Sequence, residues 1–299
     1  MPEAPRGVFV GLATLDVIHR VRELPGPNEK ITATAQFVAA GGPAANAAVT
    51  FAALGGAATL VTALGRGRVA ETIAAELESA GVTVIDVAPD LAEIAPVSSV
   101  SVIEASGDRS VVGGDAASIA VPAPAGDELR SILADADVVL LDGHHPELSR
   151  AAAAIVAAAG LPSVVDAGRW KPIMPDVIAA VSDVVASADF RVPGAQTSHE
   201  TARSLIASGT PVVVTTAGGE PVRWSSGGIS GETPVPAVDV ADTLGAGDVF
   251  HGAYAFALAT GAAIADRVAF AAEVAATRCA RIGPRSWLAA IAEIPKPGR

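Results

Sequence analysis

The chain has 299 residues, 51% of them hydrophobic and 17% charged, with 32 acidic against 20 basic side chains and a net charge of −12. That length suits one large α/β domain or two small ones, and so acidic a chain without a Lys/Arg cluster argues against nucleic acid and an anionic membrane surface as partners. A single cysteine, Cys279, excludes a disulfide framework or a thiolate zinc site and fits a reducing, cytoplasmic setting.

The first residues lack a basic stretch leading into an apolar one, so no signal peptide is expected. Nor is any uninterrupted apolar run long enough to predict a membrane span. Gly7–Ala13 reads as a strand, Pro43–Leu54 as a helix, Ala58–Ala63 as a strand, and Val69–Ala80 as a helix ended by Gly81. Val138–Leu141 reads as a strand, Glu147–Ala159 as a helix closed by Gly160, and Ser163–Val165 as a strand ending at Asp166. Val184–Ala186 and Val212–Thr215 are further strands, and Ala246–Leu258 and Ala263–Arg281 are long helices. Repeated strand–helix units with unbroken apolar strands predict a mostly parallel sheet covered on both faces, within a single domain spanning 1–299.

Two segments break the rhythm. Lys30–Ala39 alternates around Ile31, Ala33, Ala35 and Phe37; Ser99–Val112 alternates around Val100 and Val102 and turns at Gly107-Asp108. They predict antiparallel strands of a small lid, within about 12–40 and 97–118, over the carboxyl edge of the main sheet, where open α/β folds bind ligands.

The most informative stretch is Asp242-Thr243-Leu244-Gly245-Ala246-Gly247-Asp248, running directly into an apolar helix. Glycines either side of Ala246 let an anion approach N–H groups left unpaired at a positive helix end, above all a phosphate. A carboxylate there, Asp248, would be repelled by the anion. It makes sense as the base that takes a proton from a hydroxyl attacking phosphorus. A second cluster, Gly41-Gly42-Pro43-Ala44-Ala45-Asn46, also opens a helix. Asn46 offers a donor and an acceptor to a polyhydroxylated ligand, or simply starts the helix. Asp16, past the first strand, either accepts sugar hydroxyls or is a solvated loop residue. Asp166 either orients magnesium through water or closes a turn. His144-His145 offers a sugar contact by His144 more readily than a metal pair, and His251 reads as a packing residue.

Together, Gly41-Gly42-x3-Asn46 near one end and Asp242-Thr243-x-Gly245-Ala246-Gly247-Asp248 near the other resemble the two signatures of the ribokinase-like (PfkB-type) carbohydrate kinases. The order and the strand–helix rhythm match over nearly the whole chain. Gly245–Phe256, Phe270–Arg281 and Asp142-Gly143-His144-His145-Pro146-Glu147 look closest to the branch of ketohexokinase and bacterial sulfofructose kinase. The resemblance implies a three-layer α/β/α sandwich with a β-sheet lid, ATP and Mg2+ as cofactors, a monovalent cation such as K+ as a further candidate, and a homodimer joined through the lid. It implies Asp248 as base and Gly245, Ala246 and Gly247 as the anion hole. Asp16, Gly41, Gly42 and Asn46 would hold the sugar, with Lys30, Arg109 and His144 facing it. Thr215, Ala217, Gly218, Gly219, Gly247, Ala272, Ala276 and Cys279 would border the nucleotide.

The chain also departs from the family pattern. Where many members carry Asn-x-x-Glu, it reads Ser187-Ala188-Asp189-Phe190, and where Gly-x-Asp is common it reads Gly65-Arg66-Gly67-Arg68. The nucleotide loop is shifted to Thr215-Thr216-Ala217-Gly218-Gly219. Of the lysine, arginine and asparagine that bind sulfonate in the sulfofructose branch, only the lysine is matched, by Lys30; this favours another sugar.

The expected activity is transfer of the γ-phosphoryl of ATP to a primary hydroxyl of a small sugar, keto sugars included. The alternatives are a nucleoside kinase of the same fold and a non-catalytic sugar or nucleotide sensor. Phe37 is the only aromatic in the lid segments, which favours a sugar over a nucleobase. No Gly-x-Gly-x-x-Gly follows the first strand, which argues against a dinucleotide-dependent dehydrogenase.

Overall fold

The run Val138-Val139-Leu140-Leu141 has no polar face, and the fold buries both of its sides. The computed structural model describes residues 3–114, 119 and 121–298. In chain order it shows β1 (Arg6–Val10), β2 (Thr14–Val21), β3 (Ala35–Gly41), α1 (Pro43–Ala53), β4 (Ala57–Thr62), α2 (Arg68–Ser79) and β5 (Val82–Asp86). Then come β6 (Val97–Ile103), β7 (Arg109–Gly113), α3 (Gly126–Leu133), β8 (Val138–Leu141), α4 (Pro146–Ala159), β9 (Ser163–Ala167), α5 (Met174–Ile178) and β10 (Asp183–Ser187). The chain ends through α6 (Ser198–Ala207), β11 (Val212–Ala217), β12 (Glu220–Ser226), β13 (Ile229–Thr233), α7 (Ala246–Ala259), α8 (Ile264–Cys279) and α9 (Leu288–Ala292).

The main sheet has the order β13-β12-β11-β10-β9-β8-β1-β4-β5, parallel except for β12 and β13. Alternation sends neighbouring side chains to opposite cores. Phe9, Val138, Leu140, Val164, Val185 and Val214 face α1, α7 and α8. Val10, Val139, Leu141, Val165, Val184 and Val213 face the layer of α3 to α6. Both faces being covered is why the strands read as unbroken apolar runs. In the first layer Phe51 meets Phe9 and Phe256 edge to face, each at 5.4 Å. Each such contact adds ~0.5–1.5 kcal/mol beyond area burial. Helices α1 and α7 approach closely because Gly252 has no side chain: a Cβ there would lie 2.4 Å from the Ala47 carbonyl.

The lid is a four-stranded sheet, order β3-β2-β6-β7. It differs from expectation in three ways. The first main strand ends at Val10 rather than Ala13, and Thr14–Val21 forms an additional lid strand. The chain leaves the main sheet at Gly11, where a Cβ would meet the Asp142 carboxylate at 2.1 Å. Leu12 then gives its N–H to Asp142 instead of to a neighbouring strand. Second, β3 starts at Ala35, not Lys30, since the hairpin bond to β2 begins with Thr34 N–H on Arg20 C=O. Third, β2 and β6 run parallel, so the lid is mixed rather than antiparallel. Residues 115–118 of the expected lid range lie outside the described residues. The β12–β13 hairpin and the helices α3, α5, α6 and α9 were not anticipated either; α6 is started by a capping box between Thr197 and Glu200.

Candidate active site

Strand β8 ends one residue before Asp142, which pins together the floor of the site. Its Oδ2 accepts the N–H groups of Leu12 at 2.9 Å and Ala44 at 3.2 Å, and its Oδ1 accepts that of His144 at 2.8 Å. Burial raises the Asp142 carboxyl, but His144, Lys171 and the Leu12 N–H together hold it well below the usual carboxylate range. The His144 ring leans on the same carboxylate, Nδ1 to Oδ1 at 3.1 Å, and is buried. The Nδ1 edge of His144 thus faces Asp142, two residues earlier in the chain.

That start is shaped by Gly41 and Gly42. Gly42 has φ +97°, and a Cβ would stand 2.4 Å from the Leu12 carbonyl. A Cβ on Gly41 would lie 2.0 Å from the Asp16 carboxylate, so glycine lets Asp16 cross over β3. Asp16 itself lies within lid strand β2, not in a free loop, and accepts from the Thr14 hydroxyl at 2.7 Å. Burial raises its pKa, against the lowering effects of Thr14, Ser98 and Arg285.

Helix α7 begins opposite. Gly245 caps it at φ +72°, and Asp248 stands in the first turn. The Ala246 N–H points to the Thr243 carbonyl at 3.2 Å. Gly247, exposed in the first turn, has no carbonyl four residues back within the helix. The anion-binding groups of the expected trio thus differ in availability: the Ala246 N–H is engaged and Gly247 is exposed.

Asn46 Nδ2 donates to Asp248 Oδ2 at 2.8 Å, bringing the two glycine-rich motifs together. Asp248 is pushed up to about 6, chiefly by burial and then by the carboxylate of Asp166 at the end of β9. Asp166 is buried, with His251 Nδ1 3.5 Å from its Oδ2. The His251 ring also contacts the carbonyls of Gly247 at 2.7 Å and Val185 at 3.1 Å. It ties α7 to β10, in keeping with a packing role.

The sequence reading missed Arg285. Its Nη1 donates to Asn46 Oδ1 at 3.1 Å, its Nη2 to the Ala40 carbonyl at 2.6 Å, and its Nε lies 3.2 Å from Glu76 Oε1. A small pocket lies between Asp16, Asn46, Leu244, Gly245 and Arg285. The clue was in Gly283-Pro284-Arg285: a rigid turn after the last long helix carrying a cation in an acidic protein.

The lid rests on the anion turn. The Gly107 carbonyl accepts from Thr243 Oγ1 at 2.7 Å, and Arg109 Nη1 donates to that hydroxyl at 3.2 Å. Leu244 and the partly buried Phe37 both pack on Ile18, Val100 and Val102 of the lid. Lys30 is exposed on the connection between β2 and β3 and does not line the pocket. On the nucleotide side, Thr215 and Ala217 end β11, and Gly218, at φ +58°, turns with Gly219 into β12. Ala272 and Ala276 are buried on α8, and Cys279, whose thiol burial pushes up, ends that helix.

A model of the pfkB family of carbohydrate kinases matches residues 5–290. The chain belongs to this family. Ribokinase from Arabidopsis thaliana is 29% identical over 295 residues, covering 93% of this chain and 77% of that one. The structure of Arabidopsis ribokinase complexed with ribose and ATP superimposes with a TM-score of 0.77 at 23% identity, covering 98% of this chain and 100% of the other. Ribokinase from Giardia lamblia gives a TM-score of 0.80 at 16% identity, covering 96% of each. This pfkB-family chain is thus a ribokinase-like, ATP-dependent sugar kinase by family, with the ribokinase fold. These relatives support the family and leave the branch within it to a substrate screen. No helix among the described residues is long and apolar enough to cross a membrane.

The residues differ in how they fit the two cations the family implies. Among the described residues no three His, Cys, Asp or Glu side chains converge on a metal. Magnesium is commonly held by one or two carboxylates plus substrate phosphates, and the Asp166–Asp248 pair beside the helix start suits that. At Asp242, where carboxylate and carbonyl oxygens converge, the guanidinium of Arg278 is already in place, Nη2 to Oδ2 at 3.2 Å.

Proposed function

We propose that this kinase phosphorylates a primary hydroxyl of a small sugar, keto sugars included, with Asp248 as the base. The observation that carries this reading is the Asn46–Asp248 hydrogen bond, which sets a sugar-type amide against a carboxylate held at about 6 at the start of a phosphate-type helix. Asp16, Asn46 and Arg285 bind the sugar hydroxyls, and Gly42 lets the backbone come close. Asp248 Oδ accepts the proton of the hydroxyl as it attacks phosphorus. The Gly247 N–H and the positive end of α7 face the charge of the transferring group. Magnesium, when bound with ATP, neutralises phosphate charge, and Asp166 would hold it through water. Thr215, Gly218, Gly219 and Cys279 border the nucleotide. Arg109, anchored on Thr243, closes the lid over the transferring group.

A sugar is favoured over a nucleobase because Phe37, the one aromatic of the lid segments, packs on Ile18, Val100 and Val102 and does not line the pocket. The lid's outer face carries Val38 and Val112, 61% and 77% exposed, in line across Val17 and Ser99. A second copy of the chain on this face would cover them, and light scattering of the purified protein checks the homodimer. The function is tested by following ADP release with ATP, Mg2+ and a panel of aldoses, ketoses, nucleosides and sugar acids, D-ribose first. Turnover confined to nucleosides overturns the sugar reading. ATP binding with no turnover of any acceptor favours the sensor alternative.

A further inference from the structure

Asp242 opens the anion turn, and its carboxylate is 3% exposed. Its Oδ1 accepts the Leu244 N–H at 2.9 Å and its Oδ2 the Gly283 N–H at 3.2 Å, so this one side chain shapes both the approach to Gly245 and the turn before Arg285. Such a buried carboxylate needs a cation beside it. Arg278, itself 2% exposed, supplies one: Nη2 is 3.2 Å from Asp242 Oδ2, while Nη1 reaches the Arg281 carbonyl at 2.8 Å and the Asp242 carbonyl at 3.4 Å. Arg278 stands in the last turn of α8, where a positive charge is favoured by the helix dipole.

These oxygens, one carboxylate and two carbonyls, are the kind of set that strips the water from a monovalent cation. A second positive charge cannot settle among them, because two cations a few ångströms apart in a dry site repel strongly. We propose that the Arg278 guanidinium is the resident cation of the anion turn, occupying the oxygens a monovalent ion would use, so that this kinase works without K+. The proposal rests on the reading of Asp242–Asp248 as the phosphoryl site. An ion exchanges with the solvent; Arg278 does not, so the turn is set at any K+ concentration.

The test uses the full chain in KCl, NaCl and tetramethylammonium chloride at equal ionic strength. Readouts are the thermal midpoint, the Kd for Mg-ATP by calorimetry, and kcat/KM with any sugar from the panel that is turned over. All three should stay constant, the constants within about twofold. A fivefold or greater gain in ATP affinity or turnover specific to K+ overturns the proposal. Arg278→Ala should weaken ATP binding in tetramethylammonium and recover at least threefold of it in KCl; Arg278→Gln serves if the alanine variant does not fold. A folded variant indifferent to K+ also overturns it, and if neither folds the wild-type comparison decides. Should no sugar be phosphorylated, the thermal and ATP readouts still stand, which separates failure of this proposal from failure of the kinase reading.

Discussion

Asn46 and Asp248 are joined by a 2.8 Å hydrogen bond across 202 residues of sequence. The amide can serve both neighbours only one way round. Arg285 is a pure donor and holds Oδ1, so Nδ2 is left to donate to Asp248. The base is thereby aimed from the far side of the pocket, by α1 and the turn after α8 rather than by its own helix.

Replacing the base should separate chemistry from binding. Asp248→Asn keeps the shape and removes the proton acceptor, so kcat should fall by ~10²–10⁴-fold. The Kd for Mg-ATP should move by less than about threefold on calorimetry. A variant keeping more than a tenth of wild-type turnover would show that another group takes the proton.

The same substitution should stabilise the fold at high pH. Burial and the Asp166 charge raise Asp248 from 3.8 to about 6, so between these values the folded protein holds a proton the unfolded chain has lost. Stability from this group therefore falls as pH rises through that window. The melting temperature of Asp248→Asn should exceed wild type at pH 8, and the gain should shrink toward pH 4. Activity runs the other way: kcat/KM should fall as pH drops below about 6, with a slope of one proton. An activity profile flat from pH 8 to 5 would remove Asp248 as the titrating base.

Most of this site was legible because its chemistry is local. Gly41-Gly42 and Gly245-x-Gly247 declare helix starts and close approach within a few residues, and the apolar strands declare a doubly covered sheet. Arg285, Glu76 and Arg278 were not legible. Each acts through partners far along the chain, and a lone Arg in a loop or at a helix end has the same local signature as a solvated one. The inward contact of His144 was hidden for a related reason: a histidine near a strand end shows no partner in the sequence until Asp142, two residues earlier, is seen to point back at it. The β2 strand was hidden by its short length of alternation and by the bend at Gly11, which depends on the position of Asp142.

Lys30 gives a prediction from exposure. It stands in solvent before β3, and surface cations contribute ~0–1 kcal/mol. Lys30→Met should leave the sugar KM within about threefold. A tenfold rise would mean that the connection between β2 and β3 folds over the bound substrate and that Lys30 faces it, as the sulfofructose-type resemblance implies.

Arg285 should behave as both a sugar ligand and a positioning residue. It is partly buried beside Glu76 and Asp16, which hold its charge in place against the cost of desolvation. Removing one member of a partly buried charged set strands the others, at less than the ~3–5 kcal/mol of a fully buried pair, so Arg285→Ala should lower the melting temperature. That loss alone would be structural. The functional part is read with Arg285→Lys, which restores the charge and not the two-armed geometry. The lysine variant should recover most of the melting temperature. Yet the amide of Asn46 loses the donor that fixes it, so kcat should stay at least about fivefold down and the sugar KM raised, while the Kd for Mg-ATP is unchanged. Full recovery of kcat by lysine would reduce Arg285 to a counter-ion for Glu76.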